Sequence, residues 1–218
     1  WILGELLRRI TGESLGDYLN REIAKPLGLR YWVGLPESQL PHCAVLIPPE
    51  GGSDTVAKLL GADSLTARVM SGPSGLFGYN EMWNTPEVLM AEMPSSNGVG
   101  DARSLARFYA AVMDEVDGVR LLGPGQLARA CEEQVAGQDC VIFQDTRTGL
   151  GYGLGSWLTP DAGPNSFGHA GAGGALAFAD PDVELGFSYI VNAMQFNMKG
   201  DPRSALLVKA SYAAISKL

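Results

Sequence analysis

Cysteine is scarce. Cys43, Cys131 and Cys140 are an odd number, widely spaced and without a Cys-x-x-Cys pair, so neither a disulfide framework nor a zinc site is implied. Basic residues are few as well. Lys and Arg number 16 against 24 Asp and Glu, giving a net charge of −8, and they are scattered along the chain. That excludes the clustered positive face a nucleic acid needs. No apolar run approaches the roughly 20 residues of a membrane-spanning helix, because Gly, Pro or a charge interrupts every hydrophobic stretch. Phosphate-cradling patterns are missing too: the chain has no Gly-x-x-x-x-Gly-Lys-Ser/Thr, and its Gly clusters do not spell Gly-x-Gly-x-x-Gly between a strand and a helix. The sequence therefore implies no metal and no cofactor. Histidine occurs only twice, at His42 and His169.

What is present suffices for a sizeable core: 46% of the 218 residues are hydrophobic. Residue 1 is Trp, and Trp1, Ile2, Leu3, Leu6, Leu7 and Ile10 already follow helical spacing with no capping residue before them. The chain thus reads as starting inside a helix, with an upstream segment of the same protein expected. That helix runs to about Ile10 and closes at Thr11-Gly12. Ser14 is placed to cap a second helix, with Asp17 three residues on and Pro26 ending it. Residues 30 to 100 are rich in Pro, Gly and Ser, with short helical stretches near Thr55 to Leu60 and Ser64 to Met70. Long inserts of this kind usually shape a binding surface.

Asp101 caps a clear helix carrying Leu105, Phe108, Tyr109 and Val112 on one face, and residues 123 to 133 add another. Strand patterns follow at Cys140 to Phe143, Gly151 to Leu158, Phe167 to Ala170, Gly174 to Ala179 and Glu184 to Asn192. The last three read as consecutive antiparallel strands, with Asp180-Pro181-Asp182 as a turn. Ser204 to Lys217 forms a terminal helix. The order gives an α+β fold, an antiparallel sheet flanked by helices with a helical, loop-rich insert. The expected layout is residues 1 to 136 mainly helix and loop, and residues 137 to 218 antiparallel strands plus a C-terminal helix, together one portion of a single domain.

Chemistry concentrates at Phe167-Gly168-His169-Ala170-Gly171-Ala172-Gly173-Gly174. Small residues on both sides of one polar residue at a strand end let a ligand approach the backbone and meet its N–H groups. Position alone favours the plainer alternative, a core histidine beside a Gly-rich hairpin. His42 has no partner motif and reads as a loop residue. Asn97 and Gly98 fit either a cleft-facing role or a turn-and-cap role.

Five segments resemble the class C β-lactamase and penicillin-binding-protein-like serine hydrolases, a family that includes many carboxylesterases. These are Trp1-Ile2-Leu3-Gly4-Glu5-Leu6; Pro26-Leu27-Gly28-Leu29; Pro94 to Gly98 followed by Ala102 to Phe108; Gly151 to Gly155; and the histidine octapeptide, whose match runs from Gly168 to Phe187. The family combines a Ser-x-x-Lys nucleophile, a Tyr general base and a Lys-Thr-Gly or His-x-Gly triad on a strand. The resemblance makes His169-Ala170-Gly171 that triad: His169 polarises or hydrogen-bonds the site, Gly171 leaves room for the acyl group, and the Ala172 N–H helps bind the oxyanion. No Ser-x-x-Lys is present. Ser104-Leu105-Ala106-Arg107 imitates it, but Arg does not act as a base. Tyr18-Leu19-Asn20 imitates the family's Tyr-x-Asn, yet Tyr18 lies on the apolar stripe of the second helix and reads as structural.

The resemblance implies a metal-free serine hydrolase with an acyl-enzyme intermediate, its nucleophile and base supplied upstream and its substrate a small-molecule ester or amide. Because His replaces Lys in the triad, esters are preferred over β-lactams and D-peptides. A non-catalytic binding or filament-forming relative is the alternative. The expected compartment is cytoplasmic; Ser216-Lys217-Leu218 would be a peroxisomal address in a eukaryote.

Overall fold

The computed structural model describes residues 1–50, 58, 60–72, 77–195 and 200–217. Its frame is a six-stranded antiparallel sheet in chain order: β3 (Val135–Gln138), β4 (Asp145–Thr148), β5 (Gly153–Leu154), β6 (Phe167–Ala170), β7 (Leu176–Asp180) and β8 (Leu185–Tyr189). Two short strands of the N-terminal half, β1 (Tyr31–Val33) and β2 (Gly98–Gly100), pair antiparallel and close the insert at its base. The helices are α1 (Ile2–Thr11), α2 (Leu15–Leu19), α3 (Lys25–Leu27), α4 (Leu65–Met70), α5 (Pro86–Met90), α6 (Ala102–Met113), α7 (Pro124–Ala130) and α8 (Pro202–Ile215).

Caps set most of these boundaries. Gly12 closes α1 in the left-handed region at φ 77°. Ser14 accepts the Asp17 N–H to open α2, Ser64 accepts the Ala67 N–H to open α4, and Asp101 accepts the Ser104 N–H to open α6. Pro26 does not end the second helix. A π turn over Asn20–Ala24, in which the Lys25 N–H reaches the Asn20 carbonyl, carries the helical backbone into α3 and past Pro26. The helix ends instead at Gly28, at φ 64°.

Both faces of β7 are covered, so all five of its residues are buried. On one face Tyr109 and Val112 of α6 meet Leu154, Phe167, Ala177 and Ala179. On the other, Val208 of α8 meets Leu158, Leu176 and Phe178. The three consecutive antiparallel strands read from the sequence are β6, β7 and β8. Asp180 closes their turn by accepting the Asp182 N–H and accepts the Tyr212 hydroxyl, which ties α8 to the sheet.

Two strand expectations fail. Cys140 to Phe143 is the turn between β3 and β4: Asp139 accepts the Val141 and Ile142 N–H groups, and Phe143 takes φ 54°, neither compatible with a ladder. Gly151 to Leu158 is a strand only at Gly153–Leu154, because Gly155 turns at φ 58° into a 3₁₀ helix, Gly155–Trp157. The expected helix near Thr55 to Leu60 lies largely outside the described residues.

Gly168 allows β6 and β7 to meet. A Cβ there would lie 2.2 Å from the Ala177 carbonyl oxygen and 2.5 Å from Phe178 Cα. Both are backbone atoms, so the strands themselves would have to part. Gly168→Ala in the full-length protein is expected to destabilise it by about 1–3 kcal/mol or more, the usual range for overpacking. Thermal melts check this, and an unchanged Tm would contradict the close packing.

Candidate active site

His169 is the third residue of β6, paired in register with Ala177 of β7. Its side chain is exposed, which sets aside the core-histidine reading. Among the described residues neither ring nitrogen has a hydrogen-bond partner, so both remain available to a ligand. The Trp157 ring meets the imidazole edge-on, with centroids 6.4 Å apart and planes at 70°. Trp157 is held there by Gly153, whose bare Cα admits the indole: a Cβ would lie 2.0 Å from it. This neighbourhood removes water from one side of the imidazole, and desolvation lowers the His169 pKa.

After Ala170 the chain turns sharply. The Gly171 N–H donates to the Ala175 carbonyl at 2.7 Å, and the Gly174 N–H donates to the Gly171 carbonyl at 2.9 Å. Ala172 lies at the exposed crest of this turn, and among the described residues nothing accepts its N–H. Gly171 is exposed, and a Cβ there would touch only Ala175, at an ordinary 3.5 Å. Internal packing therefore does not demand glycine at 171. Gly174 is different: at φ 107° it lies against the Asp201 carboxylate, 2.2 Å from where a Cβ would be.

Asp201, the N-cap of α8, is nearly buried and held below the usual carboxylate range by the Arg203 guanidinium. Arg203 also donates to the Ala193 carbonyl at 2.9 Å. The turn thus rests on an ion pair at the head of α8. Trp157, Asp201 and Arg203 had no signal in the sequence, since each acts through residues distant in the chain.

The other candidates are accounted for structurally. Asn97 is buried: its side-chain carbonyl accepts the Met93 N–H, and its amide donates to the Val88 and Ala91 carbonyls. It braces a turn and does not face a cleft. Ser104 is buried, with its hydroxyl accepting the Arg30 N–H at 2.8 Å, and Arg107 donates to the Leu27 carbonyl. Tyr18 is half-buried under the Arg21 guanidinium and beside Leu6, Leu7 and Ile10. His42 ends an exposed 3₁₀ turn, Glu37–His42. Among the described residues no group of His, Cys, Asp and Glu could hold a metal ion, and no helix is long and apolar enough to cross a membrane.

The chain resembles known proteins over nearly its whole length. The chain is 26% identical over 207 residues to the esterase/beta-lactamase LipL of Mycobacterium tuberculosis, covering 89% of this chain and 46% of that protein. Among solved structures it superposes on EstA of Arthrobacter nitroguajacolicus Rue61a with a TM-score of 0.84 at 28% identity, covering 99% of this chain and 57% of that one. It also superposes on a penicillin-binding protein homologue of Caulobacter crescentus with a TM-score of 0.77 at 32% identity, covering 96% and 55%. The chain spans about half the length of these relatives. The family model described as Beta-lactamase matches residues 1–211, so this chain belongs to the beta-lactamase family.

Proposed function

We propose that the full-length protein is a serine hydrolase that cleaves carboxylic esters through an acyl-enzyme, and that residues 1 to 218 are the C-terminal portion of its single catalytic domain. The observation that supports the reading is one exposed strand end, where the His169 imidazole and the Ala172 N–H, neither with a partner among the described residues, stand three residues apart beside the bare Gly171. A serine outside these 218 residues, activated by Lys and Tyr, attacks the ester carbonyl carbon. The C–O bond to the alcohol breaks and the alcohol leaves with a proton from the base. Water then attacks the acyl-serine and releases the acid. In both steps the Ala172 N–H donates to the carbonyl oxygen as it becomes an oxyanion, where a fixed donor acts most strongly. Gly171 leaves space for the acyl group, and His169 hydrogen-bonds the reacting groups. The substrate is a small-molecule ester, and no metal takes part.

The test is fluorophosphonate labelling of the full-length protein. One serine should be labelled stoichiometrically, and p-nitrophenyl acetate hydrolysis should be lost with it. A protein that neither labels nor hydrolyses aryl esters would instead be a non-catalytic relative.

The desolvated imidazole gives a second expected result. Because its pKa is lowered, the folded protein binds this proton less readily than the unfolded chain. Its contribution to stability is therefore present above the ordinary imidazole value of 6.5 and is lost as pH falls towards the depressed folded value. NMR of the His169 ring protons, assigned with His169→Ala, should show a midpoint below 6.5. A midpoint at or above it would mean the indole side is wetter than described.

A further inference from the structure

The turn that carries the Ala172 N–H has little of its own to hold it. Ala170-Gly171-Ala172-Gly173-Gly174 offers no side chain beyond a methyl group, and glycine backbone is the most costly to order. Yet an oxyanion donor helps only if it stands in place before charge develops. The turn has to be fixed from outside.

Two contacts do this, and one guanidinium lies behind both. The first is direct, because Gly174 rests on the Asp201–Arg203 pair: a Cβ at 174 would lie 2.2 Å from Asp201 Oδ2 and 3.2 Å from Arg203 Nη2. Gly174 in turn donates its N–H to the Gly171 carbonyl at 2.9 Å, closing the turn around Ala172. The second runs through residues 193 to 195. Arg203 Nη1 donates to the Ala193 carbonyl at 2.9 Å, and two residues on the Gln195 N–H donates to the Gly173 carbonyl at 3.0 Å. The insert bridges the same segment at Ile47, whose N–H donates to the Asn192 carbonyl at 2.6 Å and whose carbonyl accepts the Met194 N–H at 2.9 Å. Leu46 beside it is clamped by the Asn84 amide.

The pair itself is held in one geometry. The Asp201 side chain is 2% exposed, and both its oxygens accept the Arg203 Nε–H at 3.0 Å. Oδ1 also accepts the Arg203 backbone N–H at 2.8 Å, the bond that opens α8. A buried carboxylate persists as an ion only when it is paired, and the forked guanidinium pairs it with directional bonds that a point charge would not give.

We propose that Asp201 and Arg203 are positioning residues for the reaction: through Gly174 and through residues 193 to 195 they fix the Ala172 N–H at the place where the ester oxyanion forms. The inference rests on the serine-esterase reading above. Both residues act through the turn and neither contacts the substrate.

The test compares full-length wild type with Asp201→Asn, which keeps a good helix cap but removes the charge. Should that variant not fold, Arg203→Lys decides on the same terms, since Lys keeps the charge but cannot fork between Asp201 and the Ala193 carbonyl. Competent sites are counted from the end point of fluorophosphonate labelling, and kcat and KM are measured with p-nitrophenyl acetate. An aryl trifluoromethyl ketone, whose serine adduct places an oxyanion on the same donor, supplies a Ki. The value of kcat per labelled serine should fall about ten- to a hundred-fold, the scale of a small misplacement at the reacting atoms. KM should stay within about three-fold while the ketone Ki rises by a factor similar to the loss in kcat, because only charge developed at the oxygen meets the donor. A merely structural pair would lower melting and the labelled fraction instead. A variant whose kcat per labelled serine and ketone Ki both stay within about two-fold of wild type would overturn the positioning role and leave the esterase reading standing. If wild type hydrolyses no ester and no serine is labelled, the esterase reading falls and the positioning role with it.

Discussion

Replacing His169 by alanine in the full-length protein should lower kcat for short-chain aryl esters by about ten- to a thousand-fold, the range in which lost proton-transfer or oxyanion assistance appears. The effect belongs in kcat more than in KM, because a group aimed at developing charge binds the transition state more strongly than the ester. Stability should hardly change. The imidazole is exposed, has no hydrogen-bond partner among the described residues and loses only its edge contact with Trp157. That separation makes the experiment decisive: a variant with wild-type melting and wild-type turnover would remove His169 from the site, whereas equal losses in both would assign it a structural role. Gly171→Ala gives a companion measurement: a Cβ there would meet only Ala175, at an ordinary 3.5 Å, so melting should hold, and lowered turnover would support the acyl space proposed beside it.

The candidate site is legible in the sequence only where it is local: His169, Gly171 and Ala172 sit within four residues. A lone polar side chain among small ones at a strand end fits a core histidine as well, and the order of the family's segments is what singles it out. Helix ends were legible for the same reason, since Gly12, Ser14 and Asp101 act on backbone groups within three or four positions. Failures came where a nearby alternative competed. Cys140 to Phe143 has strand-forming residues, but the Asp139 carboxylate captures two N–H groups that a ladder would need. Pro26 carries a helix-stopping signal, but a π turn absorbs it. The supports of the site were not legible at all. Asn84 holds Leu46 across 38 positions, Ile47 bridges to Ala193, and Trp157 faces His169 only because Gly153 gives the indole room. Such contacts follow from tertiary packing, which a single chain's spacing does not encode.

Residues 1–218 expressed alone should hydrolyse no ester above background and should associate. The first half of this expectation follows from chemistry: the chain contains no Ser-x-x-Lys, Ser104 is buried on a backbone bond, and Arg107 is bound to a carbonyl and to Asp117. The second half follows from surface. Helix α1 buries none of its residues: Ile2 is 84% exposed, Leu3 77% and Ile10 75%. Beside it lies an open apolar groove of about 580 Å³ lined by Trp1, Leu3, Leu7, Leu15 and Pro94. A contiguous apolar face of this kind marks an interaction surface or an aggregation site. Strand β8 adds a second liability, since it is the last strand of the sheet and pairs only with β7 among the described residues, leaving one row of N–H and C=O groups open to another strand. The measurements are p-nitrophenyl acetate hydrolysis, light scattering and a melt on the 218-residue chain, repeated after adding the remainder of the protein as a separate polypeptide. Recovery of activity together with a monodisperse complex would locate the nucleophile outside this chain and identify the occupant of the α1 face. A monomer that melts cooperatively and takes up a fluorophosphonate on one of its own serines would show that the catalytic serine lies within these residues and that the proposed division of the site is wrong.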